Sequence, residues 1–357
     1  MRWLLLILAG LWATLGANVW FGVAPVYALP AGDAITNSRT LLRLATPISN
    51  ESLRQLDRDL TSIEADLKYN RWSPVQGDIQ RAQRWIERQR GAVIATLPTS
   101  DQEPVEQLFQ HLQATLSDMS TQVALHIKGK DAATADYDAA LTDLEAIESY
   151  FIDPQQFVQI PPEYAHLPVL TGRAQVALKT SAGEMVVTLD GYNAPLTAGN
   201  FADLVQRGFY DGIEFNRVED FYVIQAGDPP GPAEGFLDPK TKQLRTIPLE
   251  IRIREQPQPI YGKTLEEAGF WDADPILPFS ARGTVAMARG EDPNSASSQF
   301  FIFLAEPDLT PAGLNLIDGR YAVFGYITQG IETLDKLKLG DRIISAKLIA
   351  GQEHLHT

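Results

Sequence analysis

The chain has 357 residues, too many for one ordinary core, which points to two domains. It is globular in composition, with 45% apolar and 21% charged residues, and its 30 basic against 45 acidic side chains give a net charge of −15. Such a field argues against nucleic acid as a partner. The absence of cysteine excludes disulfides, zinc–thiolate centres and cysteine nucleophiles.

Met1-Arg2 is followed by an apolar run from Trp3 to Val23 and small residues at Val26 and Ala28. This pattern describes an export signal, residues 1–28, cleaved after Ala28. The run also approaches the roughly 20 residues that span a bilayer, so a retained N-terminal anchor is the alternative. Either way the mature chain works outside the cytoplasm.

Residues 29–152 read as an antiparallel helical bundle. A short helix is expected around Ile35 to Leu44. Leu53, Leu56, Leu60, Ile63 and Leu67 then recur at spacings of three and four, an apolar helical stripe. Ser73-Pro74 reads as an N-cap with proline at the first helical position, before a stripe of Ile79, Ala82, Trp85, Ile86 and Val93. Pro98 ends that helix, and Ser100 with Glu103 suits a capping box. A third stripe runs from Val105 to Ile127 and breaks at Gly129; a fourth carries Leu141, Leu144, Ile147 and Phe151. Short connections between long amphipathic helices imply antiparallel neighbours that bury these faces together. Arg81, Arg84 and Arg88 share a face beside Trp85, which reads as solvated surface, with docking of an acidic partner or lipid headgroups as the alternative.

Residues 153–172 are proline-rich and without period, a linker. Beyond it the period changes to two. Val176 and Leu178 alternate with polar residues, Ser181-Ala182-Gly183 turns the chain, and Met185, Val187 and Leu189 alternate again, a β-hairpin. Thr197 is placed as the cap of a helix from Ala198 to Gln206. Short strands follow at Ile213 to Arg217, Tyr222 to Gln225, Gly283 to Ala288, Gln299 to Leu304, Ala322 to Ile327 and Arg342 to Ile349. Many short strands with few helices suggest a closed antiparallel barrel over residues 173–357, with an insertion around 229–282. The five histidines, at 111, 126, 166, 354 and 356, show no metal-ligand spacing, and His354 and His356 are read as a frayed tail.

Five ordered segments carry a family resemblance: YDGIEFNRV (210–218), FYVIQAGDP (221–229), GTVAMARG (283–290), NSASSQFFIF (294–303) and DGRYAVFGYI (318–327). They resemble the cyclophilins, peptidyl-prolyl cis-trans isomerases, over roughly 173–350. The signal, the bundle and the TIPLEI, PIYGKTLEEAG and PILPF inserts look like the large thylakoid-lumen cyclophilins of cyanobacteria and chloroplasts. The resemblance implies an eight-stranded closed antiparallel β-barrel with flanking helices. It also implies a bundle similar to an extrinsic photosystem II subunit.

The implied reaction is rotation about an X–Pro bond, against a barrier of about 18–20 kcal/mol set by amide resonance. No covalent bond is made or broken, so no metal, nucleophile or cofactor is needed. A donor is needed that favours the twisted state, in which the prolyl nitrogen regains its lone pair; an always-charged guanidinium suits this. By resemblance Arg217 has that role. Gln225 would hold a substrate carbonyl or orient the arginine. Tyr222, Val223, Phe301 and Ile317 would form the proline pocket, closed by Tyr321, and Ala288, Arg289, Gly290 and Gln299 the wall for the peptide backbone.

Several positions depart from the family's pattern. Asn216 stands where histidine is common, Tyr222 and Val223 replace Phe-Met, Arg289 replaces asparagine, Leu316 the tryptophan associated with cyclosporin binding, and Tyr321 a histidine. Reshaping a packed pocket in this way implies isomerase activity that is weak or narrow in substrate. The expected function is isomerisation in the folding or assembly of exported proteins, among them photosystem II components. The alternatives are a proline-loop-binding assembly factor, and a site masked by the bundle or linker. The expected partners are proline-containing clients and, through the bundle, a membrane complex such as photosystem II; the chain itself is expected to be monomeric. The short signal, without an Arg- and Ser-rich transit region, points to the thylakoid lumen or periplasm of a cyanobacterium.

Overall fold

The computed structural model describes residues 35–124, 130–254, 256–271, 273–304 and 317–357. The export signal and Leu316 therefore lie outside the described residues.

Among the described residues five α-helices come first: α1 Ser38–Leu44, α2 Glu51–Lys68, α3 Trp72–Ile94, α4 Thr99–Ala124 and α5 Lys130–Ser149. Asn37 and Asn50 cap α1 and α2, their side-chain oxygens accepting from Arg39, Thr40 and Leu53 N–H groups. Two expected caps do not form. α3 begins at Trp72, with Arg71 in the cap position, so Ser73 and Pro74 lie within its first turn. A proline is tolerated there because the first-turn N–H groups lack helical partners anyway. In α4 the Ser100 hydroxyl bonds Asp101 while Glu103 accepts from Gln107, and no capping box closes. Consecutive helices from α2 to α5 pack on one another, and α5 returns to α2. The apolar stripes meet in one core, in which Leu53, Leu56, Leu60, Ile79, Leu112, Leu116 and Leu144 are fully buried. No described helix is long and apolar enough to cross a membrane.

The strands and the sixth α-helix among the described residues are β1 Val169–Leu170, β2 Arg173–Thr180, β3 Gly183–Asp190, the helix α6 Pro195–Gln206, β4 Phe215–Glu219, β5 Val223–Ala226, β6 Glu250–Ile251, β7 Ile260–Tyr261, β8 Thr284–Met287, β9 Phe300–Phe303, β10 Val323–Gln329, β11 Ile343–Ala350 and β12 Leu355–His356. Eight of them form one antiparallel sheet in the order β11-β2-β3-β10-β8-β9-β5-β4. The sheet is open, where a closed barrel was expected. Its edge strands β4 and β11 do not form a ladder; they are joined by an isolated bridge, Glu214 to Arg342, and flanking backbone bonds such as Ile343 N–H to Ile213 O. β4 is only five residues long and its register shifts between Phe215 and Arg217, which leaves little strand to complete a ladder.

The C-terminal residues do not fray. Leu355–His356 pairs with Val169–Leu170, and Thr171 N–H donates to the His354 carbonyl. Thr197 is not a cap either. α6 starts at Pro195, and its N-terminus is held by Glu250 from the insertion, whose carboxylate accepts from Leu196 N–H, Thr197 N–H and the Thr197 hydroxyl. Residues 153–172 pack against the insertion: Arg252 donates to the Gln156 carbonyl and Tyr164 meets Tyr261 ring to ring at 5.5 Å.

The seven-residue α1 ties the bundle to the sheet. Leu41, Leu42 and Ala45 belong to the sheet's core, and Asn193 donates to the Ala45 carbonyl at 2.9 Å. Its other face turns to the bundle. Arg39 forms a two-pronged pair with Glu145, and Arg43, 1% exposed, reaches the fully buried Asp57 at 2.7 Å.

Candidate active site

Cross-strand register builds the site. Arg217 on β4 stands opposite Gln225 on β5, which stands opposite Phe301 on β9. A row across a sheet shares one face, so residues far apart in sequence come side by side. Val223 is two residues before Gln225, hence on the same face, and Tyr222 precedes it at the strand's mouth.

This face opens on a cavity of about 480 Å³. Arg217, Tyr222, Val223, Gln225, Ala288, Arg289, Gly290, Gln299, Phe301 and Tyr321 all line it. Ile317 does not; it packs against the sheet's core. The cavity is also lined by Glu234, Leu244 and Thr246 of the insertion and by Ser295 and Ser297, none of which the sequence reading singled out. No helix residue and no residue of 153–172 is among the lining residues.

The apolar part is aromatic. Phe301 and Val223 are buried; Tyr321 meets Phe301 edge-on at 5.2 Å, and Phe279 stacks on it at 5.9 Å. Arg289 lies over the Tyr321 ring at 5.3 Å. Its Nε donates to the Arg320 carbonyl and its Nη1 to the carbonyls of Gly290 and Glu291, so the guanidinium is anchored by backbone.

The polar part is a chain of amides. Gln225 Nε2 donates to Gln299 Oε1 at 2.8 Å, and Gln299 Nε2 donates to Asp228 and to the Glu234 carbonyl. Arg217 is not in this chain. Its Nε donates to Glu219 Oε1 at 2.8 Å, and among the described residues its two Nη groups have no hydrogen-bond acceptor. The carboxylate holds the guanidinium's pKa above its ordinary value, so the side chain stays charged. Strand alternation puts residues two apart on one face, a signal that could have singled out Glu219.

The turn between β4 and β5 is closed by Tyr222 N–H donating to the Glu219 carbonyl at 3.0 Å. Within it Phe221 has φ +60°, a left-handed conformation that costs a residue other than glycine on the order of 1–3 kcal/mol. Among the described residues, no group of three or more acidic or histidine side chains could hold a metal ion.

Residues 175–348 match the family described as cyclophilin type peptidyl-prolyl cis-trans isomerase/CLD. Residues 37–152 match the PsbQ-like domain of the CYP38-like peptidyl-prolyl cis-trans isomerases. A Synechocystis sp. protein named as a thylakoid lumen peptidyl-prolyl cis-trans isomerase is 44% identical over 92% of this chain and 86% of its own length. The chain belongs to the cyclophilin-type peptidyl-prolyl cis-trans isomerases. Two further relatives within this family come from Arabidopsis thaliana. Chloroplastic CYP38 is 39% identical over 93% of this chain and 78% of its own length. Chloroplastic CYP37 is 29% identical over 98% of this chain and 78% of its own length. As a cyclophilin, the chain needs a site that receives a proline ring beside a hydrogen-bond donor. The row Arg217–Gln225–Phe301 places a guanidinium, an amide and an aromatic ring on one face.

Proposed function

We propose that this cyclophilin isomerises X–Pro bonds of proteins in the thylakoid lumen, with Arg217 as its catalytic residue. The observation that carries the reading is the placement of Arg217, with its two Nη groups uncommitted, in the same cavity as the apolar floor of Phe301, Tyr321 and Val223. A proline ring fits the apolar floor. The guanidinium then donates to the prolyl nitrogen as its lone pair develops, a contact stronger in the twisted state than in the planar one. Gln225 and Gln299 hold the carbonyl of the turning bond, and Arg289, Gly290 and Ala288 bound the groove for the chain before the proline. Ile317 supports the pocket from the core.

The lumenal setting is supported by the Synechocystis and Arabidopsis relatives, named for the thylakoid lumen and the chloroplast. It accords with cleavage of an export signal after Ala28. The PsbQ-like match of the bundle supports docking to a membrane complex such as photosystem II, leaving the cavity free for clients.

A second reading, a module that holds proline loops without turning them quickly, is favoured by one observation: Arg217 and Gln225 each have an internal partner, Glu219 and Gln299. Isomerisation of a proline peptide by the chain and by Arg217→Ala separates the two. A rate above background that collapses in the variant supports catalysis; binding with no rate above background supports holding.

A further inference from the structure

Three residues other than glycine have a positive φ among the described residues: Asn70, Phe221 and Lys242. Asparagine tolerates this conformation through its short polar side chain; a bulky aromatic does not. Phe221 is also 76% exposed, more than any other large apolar side chain among the described residues. It therefore bears backbone strain and apolar exposure together, with little packing in return. Glycine at this position would relieve both.

Its place gives the strain a use. Phe221 occupies the tip of the β4–β5 turn, between Glu219, which grips Arg217, and Tyr222, which lines the cavity. The turn cannot swing away freely, since Tyr222 N–H bonds the Glu219 carbonyl and Leu304 N–H bonds the Tyr222 carbonyl at 2.8 Å. A chain with its proline on Phe301 advances about 3.3–3.6 Å per residue. Its neighbouring residues run along the cavity that Tyr222, the residue next to Phe221, lines.

We propose that Phe221 is a client-binding residue, a fixed aromatic at the rim that covers an apolar side chain next to the client's proline. The inference rests on the cavity being the proline site. It adds a sequence preference: clients with an apolar residue flanking the proline are bound in preference to those with glycine there. Strain in a held turn keeps the ring at the surface, ready for contact, where a relaxed turn would have no reason to present it.

The test is calorimetric titration of the chain with two pairs of short blocked peptides. Each peptide contains one proline, with leucine or glycine immediately before it in one pair and immediately after it in the other. In one pair the leucine peptide should bind about five- to tenfold tighter, the effect of burying part of an aromatic and an aliphatic side chain. Phe221→Gly should reduce that preference to under about twofold without lowering Tm, and Phe221→Tyr should restore it. An equal preference in Phe221→Gly, no preference or no binding in the unaltered chain, or a lower Tm for Phe221→Gly would each overturn the proposal. Exchange spectroscopy on the same peptides reports turnover separately: selective binding without turnover would sink the isomerase reading and leave this one standing.

Discussion

Arg217 donates its Nε–H to Glu219, two residues along the same strand, and not to the side chain of Gln225, its partner across the ladder, which bonds Gln299 instead. The grip leaves both Nη groups for a substrate while fixing the plane of the guanidinium. It also sets a negative charge 2.8 Å from the guanidinium proposed to meet the prolyl lone pair. Orientation and attenuation thus come from one contact.

Removing the guanidinium should remove the chemistry. Arg217→Ala is expected to lower kcat about a hundredfold, the usual effect of deleting one donor to a developing charge, with KM changed under about threefold. Arg217→Lys should fall between, since an ammonium lacks the planar fork. Peptide isomerisation kinetics measure both; an unchanged kcat in Arg217→Ala would reject the assignment.

The Glu219 contact should be modest, because both side chains are about half exposed and such pairs contribute about 0.2–1 kcal/mol. Glu219→Ala should therefore lower kcat about two- to fivefold with KM nearly constant. Glu219→Gln, which keeps an acceptor, should stay near the parent rate. Raising the salt should narrow the gap between parent and Glu219→Ala. A faster Glu219→Ala enzyme would mean that attenuation outweighs orientation.

Glu250 should make stability depend on pH. Burial lifts its pKa from 4.5 to about 7, against the hydrogen bonds from Thr197, Leu196 and Tyr261 that favour its charge. A carboxyl whose folded pKa is raised favours the fold fully below its unfolded value, and that contribution is lost as pH rises. Tm should fall between about pH 4.5 and 7 on this account, and Glu250→Gln should flatten the slope. Glu250→Ala should cost about 2–4 kcal/mol by stripping buried donors at the start of α6. Thermal melts at several pH values check both.

Arg43 and Asp57 form a buried pair that holds α1 to the bundle. Arg43→Ala alone should cost about 3–5 kcal/mol, because it leaves the buried Asp57 carboxyl without its partner. Arg43→Met with Asp57→Leu should cost less than either single change. Denaturant titration of the four proteins gives the cycle; additive losses would mean the pair is not coupled.

The apolar stripes at 53–67, 79–93 and 105–123 were legible because helix period alone puts those residues on one face. The strands of the eight-stranded sheet were legible, those after α6 within one or two residues, because short apolar or alternating runs are equally local; the short pairs β1–β12 and β6–β7 were not. The candidate site residues could be named from the ordered segments, and the cavity gathers ten of the eleven, all but Ile317. The expected caps fail for separate reasons: α3 begins before Ser73, Ser100 bonds its neighbour Asp101, and at α6 the N–H groups go to Glu250, 53 positions from Thr197.

By itself the sequence determined a helical part, a β part and the family they belong to, since periodicity and ordered motifs are properties of neighbouring residues. Only the tertiary structure decided how these parts meet. The open edge between β4 and β11, the Glu250 cap on α6, the paired C-terminal strand and the burial of Arg43 against Asp57 all join segments distant in the chain. Such contacts depend on which surfaces are left facing one another after each element has formed, and no local pattern records that.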